Sequence, residues 1–254
     1  MRKARQTITL PTIDLDQTVK TIDQRGFALI PDVIPTDLAD QARQLIHGYL
    51  QDEATDATRQ AKTQRVGQLA VKHQLFRDLM CHPTVLAVWK RFLGADFYCS
   101  TWSANTSYPG FDGFGWHVDY PYWSVQQPWP PGNITGQTVW LLDDLTEENG
   151  ATGAVPYSHR LGQPPQPPTD QWRDDGEILT GRRGSVVFAH GAWYHTARPN
   201  LSDQSRTVLL GMYLKPCFIP QEDMHGQLAQ IDQPSELVQK IMGGNQHRPG
   251  NVGA

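Results

Sequence analysis

Gly184-Ser185-Val186-Val187-Phe188-Ala189-His190-Gly191-Ala192-Trp193-Tyr194-His195 is a short apolar, β-branched run that empties into a loop with two histidines. A run of that length and composition is a buried strand. Soon afterwards Arg206-Thr207-Val208-Leu209-Leu210-Gly211-Met212-Tyr213 forms a second buried strand that opens on an arginine. Outward from this block, runs rich in β-branched and aromatic residues recur at 96–107, 114–120, 136–143, 151–155, 184–189 and 205–214, with Gly/Pro-rich loops between them. Many short strands at this spacing predict an all-β sandwich or jelly roll.

The first part of the chain reads differently. Asp14–Gln24 is polar and periodic, a helix that Gly26 ends. Phe27–Ile34 is a short strand broken by Pro31. Thr36 or Asp37 is placed to cap a helix whose apolar positions are Leu38, Ala42, Leu45, Ile46 and Tyr49. Residues 52–65 are polar and read as a loop. Pro83 opens another helix, carrying Val85, Leu86, Val88, Trp89 and Phe92, and Gly94 stops it. The expected organisation is one domain over 1–254: a helical part to about 95, a β core over about 96–215, and a C-terminal helix and tail over 216–254. The Gly/Asn-rich end, Gly243–Ala254, reads as loose. Two proline-rich loops, 121–131 and 163–168, interrupt the β region.

Composition narrows the function. The net charge of −4 gives no basic face for a nucleic acid. No apolar run approaches the roughly 18 residues of a membrane span. The start, Met1–Thr7, is basic, but no apolar segment follows it as in a secretory signal. Three cysteines without CxxC spacing argue against a disulfide framework or zinc knuckle and for a reducing cytoplasm. A small-molecule partner is what remains; the sequence leaves the oligomeric state open.

Gly115-Trp116-His117-Val118-Asp119 carries the second motif. In a strand, residues i and i+2 point to one side, so His117 and Asp119 present an imidazole and a carboxylate to one point. That pair suits a divalent first-row metal, although a lone His-x-Asp is weak and fits two surface residues as well. A histidine from the 190–195 loop completes a two-His-one-carboxylate triad, which leaves sites open on Fe(II). His190 and His195 compete for that place, and one of them is an ordinary buried histidine. Arg206 lies a short loop beyond His195 and favours it. An arginine at the mouth of a buried strand needs an anion, either a carboxylate ligand or a strand-end partner such as Asp203.

These motifs together resemble the phytanoyl-CoA dioxygenase family of Fe(II)/2-oxoglutarate oxygenases. Four passages carry the likeness: Gly26–Ile34, Trp116–Asp119, Leu142–Arg160 and the His190–Arg206 block. The third is the most specific, since Asn149-Gly150 through Pro156-Tyr157-Ser158-His159 matches the family's Asn-Gly…Pro-Gly-Ser-His run, with Tyr157 in place of the usual Gly. The resemblance implies a mainly β fold with flanking helices and a double-stranded β-helix (jelly-roll, cupin-like) core. It implies Fe(II), 2-oxoglutarate and O2. By position it implies His117, Asp119 and His195 as iron ligands, Arg206 on the distal carboxylate of 2-oxoglutarate, Thr152 near the co-substrate, and His159 and His190 as structural. Ala197 stands where a small polar residue is common, so that contact is missing. Related halogenases lack the carboxylate that Asp119 supplies, which argues for oxygenation.

The substrate is read from aromatic density. Tyr120, Tyr122, Trp123, Trp140 and Trp193, with Asn105, are the expected pocket, and the loop 120–135 its wall. Core packing is the competing reading for each ring. The expectation is hydroxylation of an unactivated C–H in a small, largely apolar or aromatic molecule of natural-product biosynthesis. Desaturation, epoxidation and ring formation are the alternatives within the same chemistry. A metal-binding β-sandwich without oxygenase activity, or a zinc hydrolase, is the alternative outside it.

Overall fold

The computed structural model describes residues 13–244. In chain order the elements are α1 (Leu15–Arg25), β1 (Phe27–Ile30), α2 (Thr36–Asp52), α3 (Asp56–Ala61), β2 (Thr63–Val66), α4 (Leu69–Lys72), α5 (Gln74–Met80), α6 (Pro83–Leu93), β3 (Tyr98–Ser107), β4 (Thr135–Leu141), β5 (Gly153–Val155), β6 (Glu177–Ile178), β7 (Val186–His190), β8 (Tyr194–Thr196), β9 (Arg206–Leu214), α7 (Met224–Leu228) and α8 (Glu236–Ile241). Six strands form one antiparallel sheet in the order β1-β7-β4-β9-β3-β2, and three form a second, β6-β5-β8. The two sheets with flanking helices form the expected jelly-roll core. The described helices include none long and apolar enough to cross a membrane.

The period of two along each central strand sorts its side chains. Trp102, Trp140, Val186, Phe188, Leu209 and Tyr213 join the core shared with the helices. Their neighbours Val139, Leu141, Val187, Ala189 and Val208 join the core that faces the smaller sheet. The helices thus cover one face of the large sheet, and its other face is left to build a site.

Local chemistry explains where the elements stop. Asp14 caps α1, its carboxylate accepting the Gln17 N–H at 2.9 Å, and Gly26 closes it at φ 100°. The strand after it ends at Ile30, before Pro31. The capping expectation at Thr36 or Asp37 is corrected: Pro35 holds the N-cap position of α2, with no side-chain cap. Residues 52–65 are not a plain loop. Thr55 and Thr58 form a reciprocal capping box that starts α3, and β2 then pairs with β3, Arg65 opposite Asn105. Nor is 114–120 a strand, for it touches a sheet only through an isolated bridge from His117 to His195. Downstream, two short helices, α7 and α8, replace the single one expected. Met1–Thr7 and most of the Gly/Asn-rich end lie outside the described residues.

Gly136 on β4 faces α6, where a Cβ would lie 2.3 Å from Trp89 Cζ3. Trp89 is fully buried and has no room to move aside. Gly136→Ala is expected to destabilise the fold by about 1–3 kcal/mol, as over-packing does. Urea unfolding checks this: the midpoint drops while the m-value stays the same.

Candidate active site

His117 and His195 form a hydrogen-bonded antiparallel pair, His117 N–H to His195 O at 3.0 Å and His195 N–H to His117 O at 3.1 Å. Side chains of such a pair emerge on one face. Their rings lie 4.2 Å apart between centroids. Asp119, two residues on, brings its carboxylate to the same place: Oδ1 is 3.9 Å from His117 Nε2 and Oδ2 3.5 Å from His195 Nε2. One donor atom from each of the three lies within 4.8 Å of the others, so the trio can hold one metal ion. His117 Nδ1 is 2.8 Å from Gly115 O. A carbonyl only accepts, so Nδ1 carries the proton and Nε2 keeps its lone pair. Burial, with the His195 ring adding to it, lowers His117 to about 4, so its imidazole is neutral at physiological pH. Burial pushes Asp119 up, but the two imidazoles and the Gln137 amide outweigh it and hold the carboxyl well below the usual range. An ionised Asp119 carboxylate and a neutral His117 imidazole suit an iron(II) site.

The trio opens on a cavity of about 160 Å³. Arg206 lines it from β9 and is 2 % exposed. Its Nη2 donates to Gly150 O at 2.6 Å, and its Nε has no partner. Burial lowers its guanidinium to about 10, partly offset by the charge of Asp143, so it stays protonated. Asp143 is otherwise engaged, with Thr207 N–H at 2.8 Å and Arg43 at 3.2 Å. Among the described residues Arg206 makes no ion pair. A buried cation left so is costly, and a carboxylate entering the cavity would satisfy it. The donor set and this arginine therefore fit iron and 2-oxoglutarate together.

The family model for phytanoyl-CoA dioxygenase (PhyH) matches residues 22–208. The chain belongs to the phytanoyl-CoA dioxygenase family. It is an Fe(II)- and 2-oxoglutarate-dependent dioxygenase, with O2 as oxidant. It is 26 % identical over 242 residues to dioxygenase af480 of Aspergillus fumigatus, covering 91 % of this chain and 75 % of that protein. It is 25 % identical over 257 residues to the iron/alpha-ketoglutarate-dependent dioxygenase ausU of Aspergillus calidoustus, covering 93 % and 83 %. In fold it resembles the non-heme alpha-ketoglutarate-dependent carbocyclase SnoK from nogalamycin biosynthesis, with a TM-score of 0.64, 21 % identity and coverage of 87 % and 94 %.

Within this dioxygenase the other expected site residues separate. Thr152, Asn105 and Trp193 line the cavity with the metal trio and Arg206. Trp193 stacks on His195, 4.7 Å between centroids at 14°. Tyr122 and Trp140 do not line it, which corrects the pocket expected from sequence. Trp140 is on the helix face of β4, against His82, because its neighbour Val139 has the cavity face. Tyr122 packs with Trp129, Ile134 and Tyr194 in a separate core cluster. Trp123 is 61 % exposed, Tyr120 donates to Ile219 O at 2.8 Å, and neither reaches the cavity wall. The sequence reading missed Gln137, Arg65 and Ser103, which do line it. Gln137 had a legible signal, a long amide inside a short strand whose seven residues are all buried.

His190 stays out of the metal trio. Its Nδ1 accepts the Ala192 N–H at 3.0 Å, and its ring lies 4.9 Å from that of His159. Burial, with His159 adding to it, lowers it to about 3 from an ordinary 6.5. Between those values the unfolded chain binds the proton and the folded one does not. Stability therefore falls as pH drops from about 6.5 toward 3, and this group changes nothing above that window. His190→Asn is expected to flatten the acid limb by up to one proton, about 1.4 kcal/mol per pH unit. Urea titrations at pH 7 and pH 5 measure it; equal slopes for the two proteins would rule out His190 as a source.

Proposed function

We propose that His117, Asp119 and His195 hold the iron, that Arg206 receives the distal carboxylate of 2-oxoglutarate, that Thr152 flanks the co-substrate, and that Asn105 and Trp193 belong to the substrate pocket. The observation that carries this is the buried, unpaired Arg206 sharing one cavity with a three-residue metal trio. A buried guanidinium without a counter-ion is costly, and an entering carboxylate would offset that cost. When bound, iron and 2-oxoglutarate supply an oxidant strong enough for an unactivated C–H, with succinate and CO2 as co-products. The chain supplies placement. Gly115 O fixes the His117 tautomer, the stacked indole of Trp193 fixes the plane of His195, and Arg206 orients the co-substrate by a charge-assisted contact. The apolar Val208, Leu210 and Met212, presented from β9 at every second position, keep water from the reacting end of the cavity.

For the substrate we infer a small, largely apolar or aromatic molecule, hydroxylated at carbon, from natural-product biosynthesis. The apolar wall of β9 supports this, as does Phe114, which lines the cavity yet is 53 % exposed and so stands at its rim. The likeness in fold to SnoK, which is from nogalamycin biosynthesis, supports the same setting. The proposal takes 1–254 as one oxygenase domain working in the cytoplasm, where the free Cys81, Cys99 and Cys217 stay reduced.

His117→Ala, Asp119→Ala and His195→Ala are each expected to abolish substrate-independent succinate formation and metal binding, while His190→Ala keeps the metal. A His195→Ala protein that still bound iron normally would overturn the ligand set. Arg206→Ala is expected to raise the KM for 2-oxoglutarate at least tenfold, since losing a buried charge pair costs on the order of 2–5 kcal/mol. Metal affinity should move less than about threefold. A co-substrate KM within about threefold of the parent would send the distal carboxylate to another group, with Arg65, the other arginine that lines the cavity, the first to test.

A further inference from the structure

We propose that Gln137 is the positioning residue of the metal site, locking the Asp119 carboxylate in place and tying it to His195 through Trp193; this rests on Asp119 being an iron ligand. Gln137 is on β4, where residues 137 and 139 face the cavity, and it is 6 % exposed. A long amide is retained in that dry position only if its oxygen and nitrogen both find partners. Both do. Trp193 Nε1 lies 2.6 Å from Gln137 Oε1, and Gln137 Nε2 donates to Asp119 Oδ2.

The direction of this chain is fixed by chemistry. An indole N–H can only donate, so the atom facing it must be the amide oxygen. The amide nitrogen then has to face Asp119, whose ionised carboxylate can only accept. With Oδ2 held, the carboxylate cannot rotate freely about its Cβ–Cγ bond. The same indole that orients Gln137 stacks on His195 at 14°. One side chain therefore sets the plane of the third ligand directly and the pose of the second through Gln137. The link crosses from the large sheet to the segment leading into β8, which are separate in sequence and bear different parts of the site.

Hydrogen-bond partners of metal ligands are typically worth 10–100-fold in affinity. Gln137→Met keeps length and volume and removes the amide. Trp193→Phe keeps a ring against His195 and removes the N–H. Co(II), which does not turn over with O2, is titrated into each apo-protein by visible absorption, with melting of the apo-protein as the folding control. Gln137→Met is expected to raise the Co(II) Kd about 10–100-fold with apo melting within a few degrees of the parent. Trp193→Phe is expected to do so by a smaller factor. The double variant is expected to bind no worse than Gln137→Met alone, because both cuts sever one chain; a merely structural role would give additive losses. Asp119→Ala is run alongside. If it keeps the parental Kd, the ligand reading itself fails. If it loses Co(II) while Gln137→Met stays within threefold of the parent, Gln137 is not the positioning residue and the ligand set stands. Should Gln137→Met not fold, Trp193→Phe carries the test: a parental Kd there overturns the proposal.

Discussion

His117 and His195 exchange both of their backbone hydrogen bonds, and the rest of the site is built around that exchange. The pairing extends along the two segments: Phe114 N–H reaches Ala197 O at 2.8 Å, and Gly110 and Phe111 trade bonds with Asn200 at 2.9 Å each. The segment is too irregular to be a strand, yet it is laced to the chain after β8 at successive points. Its glycines allow this. A Cβ at Gly113 would lie 2.8 Å from Ala197 O, and one at Gly115 3.0 Å from Thr169 O. Two histidines far apart in sequence are thereby held on one face by backbone hydrogen bonds. Such a preformed site avoids ordering its donors at the moment an ion binds.

Arg206 sets the second constraint. Its charge is buried on a central strand, and the one carboxylate whose field it feels, Asp143, is shared with Arg43 and the Thr207 backbone. Asp143 is itself pushed up by burial, which these contacts only partly offset. A buried guanidinium in this state opposes folding until an anion arrives. In the role proposed for Arg206, the carboxylate of 2-oxoglutarate would relieve that cost. The arginine sits on β9, the strand paired with both β3 and β4, so the central sheet fixes its position.

Much of this was legible in the sequence, and where it was not, the reason is physical. The convergence of His117, Asp119 and His195 was legible because it shows in a few residue types at constrained spacing. The competition between His190 and His195 turned on partners: His190 has Ala192 N–H and the His159 ring, and neither is written in composition. The helices with strong periodicity, α1, α2 and α6, were legible. The 52–65 segment was not, because α3 is held by a threonine capping box and β2 by its pairing with β3, signals without hydrophobic period. The aromatic residues misled most. Aromatic density near the metal motif cannot separate a pocket wall from a core. Trp140 and Trp193 differ only in which face of their segment they use.

On β3, β4 and β9 the face toward the helices carries large apolar residues, among them Trp102, Trp140, Leu209 and Tyr213, with Gly136 making room for Trp89. The residues facing the cavity are mixed: Ser103, Asn105, Gln137, Val139, Val208 and Met212. Because the two sets alternate along the same strands, the backbone that packs the helices also fixes the spacing of the cavity wall. A substitution on the cavity face leaves the helix-facing core intact, so wall chemistry can change without a redesigned fold. Arg206 and Gln137 are exceptions. Each meets a group that the fold itself cannot release, Gly150 O in one case and the Asp119 carboxylate in the other. Freedom to alter the cavity wall therefore resides in its remaining positions.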